Sequence, residues 1–375
     1  MMGKTETNVQ SDSQMLAQRR QAYVRDKSGM NALSVYAHLC IGFSLYLYGQ
    51  VSTPGYLSTV LAVPPLMLLF LLVRFLVRRK KPGLSVAASA AGAGARLFDL
   101  CFFLLHLLDA QLALFALCAL IMDAMPDFGR LAAALSAALF CALGGGEEES
   151  LYRLSRPLKW LIGALLLSCG IAAVPYGKMA HFYPLLGGGA ASILQGAVWM
   201  TGAVSSGIWP LLIREDQEPS GGFFSTVRPS LAAVGIGIVT YLAAVWLKPF
   251  YTMKRPESAG WRMLLLVHMT PSVPAWSMEV IGLTLLLLTA STYSASQAAS
   301  ALSQFGGKQK TPRFLTAALL FLLVPACVAD PDVVQELLTA AAPWRGAAYL
   351  SLLVLLCLCS LIRNKRKTDA TEDSL

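Results

Sequence analysis

Long apolar runs separated by short polar segments occupy nearly the whole chain. A membrane-spanning helix needs roughly 20 apolar residues to cross about 30 Å of hydrocarbon. About ten runs approach that length, which leaves no room for a separate soluble domain. The pattern predicts an all-α polytopic membrane protein with spans at residues 31–50, 56–77, 97–122, 130–145, 158–176, 190–213, 229–248, 274–299, 313–330 and 345–362.

Both ends of the chain are polar, and the overall composition agrees with a membrane protein. Charged residues make up 14% of the chain, whereas soluble domains average about 25%. The first thirty residues lack the short apolar core and small-residue cleavage site of a signal peptide, so we expect the first helix to be retained. The predicted organisation is a cytoplasmic polar tail (1–30), a ten-helix transmembrane domain (31–363) and a cytoplasmic tail (364–375).

The distribution of positive charge predicts the orientation. With ten spans and a cytoplasmic N-terminus, 23 of the 30 Lys and Arg residues fall on the cytoplasmic side and seven fall outside. Loops rich in these residues stay in the cytoplasm. We therefore expect a multi-pass membrane protein with both termini cytoplasmic. The net charge of +9 then reflects loops facing an anionic lipid leaflet, with no need for a nucleic-acid partner.

Two predicted spans, the first and the sixth, contain residues that interrupt helices. They open the two possible five-helix halves of the chain, and interrupted helices at matching positions indicate a transporter's binding site. The alternative is that the small residues simply allow close helix packing. The candidate ligand-binding residues in these two spans are Gly42, Ser44, Thr201, Gly202, Ser205 and Ser206.

The third span carries three ionisable residues, Asp99, His106 and Asp109, along one helical stripe. Asp99 lies near the cytoplasmic interface, whereas Asp109 lies near the bilayer midplane. An ionised group at that depth is costly and needs a partner or a polar cavity. We therefore predict that His106 and Asp109 bind a ligand. The alternative is that they form a purely structural pair.

The rest of the sequence offers little chemistry. Phosphate-binding, metalloprotease and serine-hydrolase motifs are absent, so the chain shows no sign of an enzyme. The eight cysteines have neither disulfide nor zinc spacing, and no cofactor or metal is expected. Glu279 is a further candidate ligand-binding residue, because it lies just inside the eighth span, at the interface or facing a cavity. Glu149 and Arg153 are four residues apart, which suits an ion pair on one helical face.

Several segments in this order resemble the spore germination permease family. The resemblance rests on "IGFSLYLYGQVSTPGYLSTVLA", "EEESLYRLSRPLKWLI", "FYPLLGGGAASILQGAVWMTGAVSSGIWPLL" and "SMEVIGLTLLLLTAS". This family comprises the GerAB-like membrane B subunits of germinant receptors, within the amino acid, polyamine and organocation transporter superfamily. The sixth span departs from the pattern expected of many relatives because it contains no acidic residue.

The resemblance implies a LeuT-like fold of five plus five helices in inverted repeat, with broken first and sixth helices. It also implies a pocket between the first, third, sixth and eighth helices for a small amino-acid-like germinant. The expected partners are the A and C subunits of the receptor. The resemblance also implies that the transmembrane domain (31–363) is a permease domain and that the protein lies in the cell membrane or the spore inner membrane. A proton-coupled amino acid transporter with Asp109 and His106 as its relay is the alternative. A membrane scaffold that transports nothing is a third possibility of another class.

Overall fold

The computed structural model is helical throughout the part of the chain that it describes. That part comprises residues 27–42, 63–81, 84–124, 148–173, 178–182, 222–247, 275–304, 315–320 and 331–372, with isolated positions 15, 18, 131, 134, 135, 138, 190, 191, 194, 201, 202, 204 and 313. Every secondary-structure element in these ranges is a helix, which confirms the all-α prediction. The predicted count of ten spans extends to residues outside these ranges.

Eight α-helices are labelled here in chain order. They are α1 (27–42), α2 (Val63–Arg78), α3 (Val86–Ala91), α4 (Ala95–Ala124), α5 (Glu148–Ala173), α6 (Gly222–Leu247), α7 (Ala275–Ser303) and α8 (Pro331–Glu372). A 3-10 turn at Gly92–Gly94 joins α3 to α4, and a second lies at Met179–Phe182. Helix α4 matches the predicted third span within two residues at each end.

The C-terminal helix is much longer than the span predicted at 345–362. Helix α8 continues to Glu372 and so includes most of the predicted cytoplasmic tail. Its last turns contain no glycine or proline and include two arginines and two lysines over residues 363–372, and both residue types favour helix. Helix α1 likewise includes residues 27–30 of the predicted N-terminal tail. Residues beyond an apolar run can thus extend its helix.

Three helices, α1, α4 and α7, form the centre of the described structure. Every residue from Asp109 to Cys118 on α4 is buried, as is every residue over 289–301 on α7. Burial on all sides of a helix marks a position enclosed by other helices. Helix α7 packs along α4 and α5, while α8 packs across α2, α3 and α4. The polar residues of the central helices therefore face protein.

The outer helices expose large apolar side chains. Helix α8 shows the two faces clearly, because Leu353 and Leu356 are buried while Leu355 and Leu358 are exposed. Extensive exposed apolar surface marks contact with lipid or protein. Among the described residues, Val86–Cys118 and Trp344–Asn364 are helical segments long and apolar enough to cross a membrane. The multi-pass topology and the cytoplasmic location of both termini stay predictions.

Helix α3, which precedes α4, is held in place by a contact with the C-terminal part of α8. Gly92 ends α3 with a φ of 60°, a left-handed conformation that favours glycine. The Arg363 guanidinium donates hydrogen bonds to the carbonyl oxygens of Ala88 and Ser89, at 2.9 and 3.0 Å. These carbonyls belong to the last turn of α3, where carbonyls commonly lack partners within the helix. The Ala88 carbonyl oxygen also accepts the Gly92 N–H, so Arg363 is its second donor. Arg363 thereby caps α3.

We expect Arg363→Met to lower the free energy of unfolding by about 1–3 kcal/mol, since hydrogen bonds from a charged donor are lost from two carbonyls. The matched control is Arg366→Met, which removes the same charge three residues further along the chain. Detergent-solubilised variants are compared by unfolding in denaturant. Equal stability of the two variants would show that the Arg363 cap contributes nothing specific.

Candidate functional site: a buried charge cluster around Asp109

Asp109 lies on α4 and contacts two side chains of α8. Its Oδ1 is 3.0 Å from Nη1 of Arg345, and its Oδ2 accepts a hydrogen bond of 2.7 Å from the Tyr349 hydroxyl. Asp109 and Arg345 are 0% and 4% exposed. The four-residue spacing of Arg345 and Tyr349 places both on one face of α8. A fully buried ion pair therefore joins the two helices.

Arg345 also reaches the sixth predicted span. Its Nη2 donates a 2.8 Å hydrogen bond to the backbone carbonyl oxygen of Gly202. Gly202 and its neighbour Thr201 are both buried. The arginine thus bridges the carboxylate of α4 and a backbone group of the segment predicted to be broken.

His106 lies one turn before Asp109 on α4. Its Nδ1 is 3.4 Å from the Tyr349 hydroxyl and 3.8 Å from Oδ2 of Asp109. The Tyr349 hydroxyl therefore lies between the carboxylate and the imidazole. The predicted relay placed these two groups in direct contact with each other. The imidazole and phenol rings meet edge to face with centroids 6.0 Å apart. Nε2 of His106 has no hydrogen-bond partner among the described residues.

His38 brings α1 into the cluster. Its Nε2 lies 3.2 Å from the carbonyl oxygen of Asp109, and its Nδ1 lies 2.7 Å from the carbonyl oxygen of Ser34. In either neutral tautomer, one of these contacts is a hydrogen bond. His38 is completely buried, so it fixes α1 against α4 beside the charge pair.

A second polar contact lies further along the same face of α1. Asn31 donates a 2.9 Å hydrogen bond to Ser230 of α6 and accepts a longer one, of 3.4 Å, from Tyr293 of α7. All three side chains are buried. Asn31, Ser34 and His38 recur at spacings of three and four, so one stripe of α1 is polar. This stripe leads from α6 and α7 to the Asp109 cluster.

The charges of the cluster cancel, but several of its hydrogen-bonding atoms have no hydrogen-bond partner among the described residues. The negative Asp109 faces the positive Arg345, and the two histidines add no fixed charge. Oδ1 of Asp109 and both Nε and Nη1 of Arg345 make no hydrogen bond to described residues. The contact of 3.0 Å between Nη1 and Oδ1 is close enough for an ion pair without having hydrogen-bond geometry. The two charged groups therefore retain unused donors and an unused acceptor.

The structure brings three of the predicted ligand-binding residues together. Asp109 and His106 lie in one cluster, and Gly202 joins it through its carbonyl oxygen. Thr201 is buried beside Gly202, and Gly42 is buried at the last described position of α1. The remaining candidates lie outside the described part of the chain or have side chains that it does not include; these are Ser44, Ser205, Ser206 and Glu279.

The predicted ion pair of α5 also stays a prediction. Arg153 lies on α5 with an exposed side chain. The side chain of Glu149 is not among those that the structure describes.

Sequence reasoning missed three members of the cluster: His38, Arg345 and Tyr349. The charge count assigned Arg345 to the outside of the membrane, whereas the structure buries its side chain against α4. An available signal was the pairing of an arginine with a tyrosine four residues later at the start of an apolar run. That signal shows a polar helix face but does not identify its partner.

The described residues offer little for a resident metal or a disulfide. No group of three or more His, Cys, Asp or Glu side chains is positioned to hold a metal ion within the described ranges. The cysteines described there are free thiols: Cys40, Cys101, Cys118, Cys357 and Cys359. The remaining cysteines, Cys141, Cys169 and Cys327, are not covered by the same description.

The helical arrangement is similar to that of a known transporter. Crystal structures of two single-residue mutants of the manganese transporter from Eremococcus coleocola superpose with TM-scores of 0.51 and 0.50. Each is 17% identical to this chain, and each similarity covers 90% of this chain and 77% of the transporter. No protein-family model and no curated protein sequence matches the chain. The chain therefore has the fold of a membrane transporter.

Proposed function

We propose that this protein is a permease-type membrane protein that binds a small amino acid or similar nutrient at the Asp109 cluster. We further propose that it serves as the B subunit of a spore germinant receptor, acting with A and C subunits. The observation that carries the proposal is the buried Asp109–Arg345 pair between the helices of a transporter fold. The germination role rests on the sequence resemblance.

The energetics of the pair favour a functional role over simple packing. Taking two charges out of water costs several kcal/mol each, and well-packed apolar residues are often as stable or more stable. Ionisable residues inside membrane helices usually serve ligand or ion pathways. His106 lies 3.8 Å from the carboxylate of this pair, and a backbone carbonyl of the sixth predicted span accepts from its guanidinium. His38 contacts the backbone carbonyl oxygen of Asp109 beside it. Such convergence is typical of a binding site.

A proton-coupled amino acid transporter is the second candidate. The Tyr349 hydroxyl lies between the Asp109 carboxylate and the His106 imidazole, at 2.7 and 3.4 Å. Hydroxyl, carboxylate and imidazole groups in hydrogen-bond reach can pass a proton. The receptor and the transporter would share one binding site. They differ in whether the bound nutrient triggers germination or is carried across the membrane. Uptake of the bound nutrient into proteoliposomes separates the two.

Manganese, the cargo in the name of the similar transporter, suits the described cluster poorly. Mn²⁺ prefers carboxylate, carbonyl and water ligands. Here the Asp109 carboxylate already faces a guanidinium and accepts a hydrogen bond from Tyr349. Its negative charge is balanced before any ligand binds. An organic nutrient therefore fits this cluster better than a divalent cation.

The test is ligand binding to the full-length protein in lipid nanodiscs. Each of the twenty common L-amino acids and Mn²⁺ is screened for thermal stabilisation of the wild type. We expect at least one amino acid to stabilise it and Asp109→Asn to weaken that ligand's affinity about tenfold or more, since a charge-assisted contact is lost. Asp99→Asn, a matched change on the same helix, should have much less effect.

Three outcomes would overturn the proposal. Stabilisation by Mn²⁺ alone would replace the nutrient with a metal cargo. An unchanged affinity in Asp109→Asn would move the site elsewhere. The absence of any stabilising amino acid would favour the scaffold alternative, in which the polar residues satisfy one another.

A further inference from the structure

We infer that Arg345 and Asp109 are the two halves of a zwitterion receptor. The ligand inserts between them, with its carboxylate on Arg345 and its ammonium on Asp109. This inference rests on the proposed function and deepens it, because it assigns an orientation and a charge class to the ligand. It also adds Arg345 to the ligand-binding residues.

The hydrogen-bonding atoms of the pair that have no hydrogen-bond partner among the described residues support insertion of a ligand between the two side chains. Arg345 is 4% exposed, yet its Nε and Nη1 have no hydrogen-bond acceptor among the described residues. Oδ1 of Asp109 likewise accepts no hydrogen bond there, and its contact with Nη1 at 3.0 Å is an ion pair without hydrogen-bond geometry. A buried donor without an acceptor costs about 1–3 kcal/mol. A ligand carboxylate can accept from Arg345, and a ligand ammonium can donate to Oδ1 of Asp109.

Charge balance restricts the ligand to molecules with both charges. A cation alone would occupy Asp109 and leave the Arg345 guanidinium buried without its counter-charge. An anion alone would leave the Asp109 carboxylate in the same state. Breaking a buried pair in this way is strongly unfavourable. A zwitterion gives each side chain a new opposite charge, so the cluster stays neutral throughout.

The contacts around the pair indicate which side chain moves. Asp109 is short and is held through Oδ2 by Tyr349. Arg345 has a long, flexible stem, and its Nη2 is anchored at the carbonyl oxygen of Gly202. A guanidinium can keep one such bond and turn its remaining donors to a carboxylate. Binding therefore separates Arg345 from Asp109 and leaves the Tyr349 contact in place.

The experiment compares each L-amino acid with two analogues in nanodiscs that hold the full-length protein. One analogue is the amino acid amide, which keeps the ammonium but has no carboxylate. The other is the deaminated acid, which keeps only the carboxylate. We expect both analogues of a binding amino acid to lose at least about tenfold in affinity, one charge-assisted contact each. An amide that binds as tightly as its acid would overturn the inference, even though the proposed function would survive.

Substitution of the arginine gives an independent readout. Arg345→Lys keeps the charge but loses the planar fork of donors, so we expect about tenfold weaker binding of the amino acid. In this variant the amide's affinity should change much less. Arg228→Lys, at an exposed position of α6, is the control. Equal weakening of acid and amide by Arg345→Lys would contradict a carboxylate contact, and failure of every amino acid to bind the wild type would reject the proposed function itself.

Discussion

Arg345→Met is expected to destabilise the folded protein by about 3–5 kcal/mol, the usual effect of removing one partner of a buried ion pair. The Asp109 carboxylate, which is 0% exposed, would remain in the interior with the Tyr349 hydroxyl as its hydrogen-bond donor among the described residues. The hydrogen bond from Arg345 to the Gly202 carbonyl oxygen would be lost as well. The free energy of unfolding in mixed micelles measures the effect.

The double variant separates the pair's interaction from the separate effects of the two side chains. Asp109→Leu with Arg345→Met removes both charges together, so no uncompensated charge is left inside. We expect the double variant to be more stable than the sum of the single changes predicts, by about 2–3 kcal/mol. Additive losses would mean that the two groups, 3.0 Å apart, do not interact energetically.

Asp109 and His106 could be predicted from the sequence because ionisable residues stand out in an apolar run of membrane-spanning length. The same argument located α4 within two residues of its ends. The carboxylate's burial followed from its depth in that run, and its proximity to the imidazole followed from their three-residue spacing on the helix. Contacts between polar side chains on a single helix can therefore be predicted without knowledge of the tertiary structure.

Arg345 could not be assigned in the same way because it lies at the start of its apolar run, beside Trp344. Arginine at such a position ordinarily extends its charged head to the interface. Only the packing of α8 across α4 shows that the side chain turns inward. A tertiary contact decides here between two side-chain directions that the sequence allows equally.

His38 was overlooked for a different reason. Its observed partners are the backbone carbonyls of Asp109 and Ser34. Every residue carries a carbonyl, so the sequence contains no mark of these contacts. Gly202 was predicted as a site residue because it has no side chain. In the structure it is the backbone carbonyl oxygen of Gly202 that contacts the cluster. Backbone groups are the part of a site that sequence reasoning finds last.

Tyr349→Phe is expected to lower the free energy of unfolding by about 1.5–3 kcal/mol, the range for a hydrogen bond to a charged group. The change keeps the ring, which packs near Phe102 with centroids 6.4 Å apart. It removes the hydroxyl that donates to Asp109 and lies 3.4 Å from Nδ1 of His106. Tyr349→Ala should cost roughly 3–5 kcal/mol or more, because a cavity is added to the lost hydroxyl.

Tyr293→Phe is the matched control, since this tyrosine is equally buried on α7. Its hydroxyl donates to the neutral amide oxygen of Asn31 at 3.4 Å, whereas that of Tyr349 donates to a carboxylate at 2.7 Å. A bond to a neutral acceptor contributes only about 0.5–1.5 kcal/mol, so we expect Tyr293→Phe to be the milder change.

The order of the two stability losses tests the charge on Asp109. If Asp109 is ionised, removing the Tyr349 hydroxyl that donates to it must cost more than removing a donor to an uncharged amide. Equal losses would show that Tyr349 does not donate to a charged group, and the ion pair with Arg345 would lose its support.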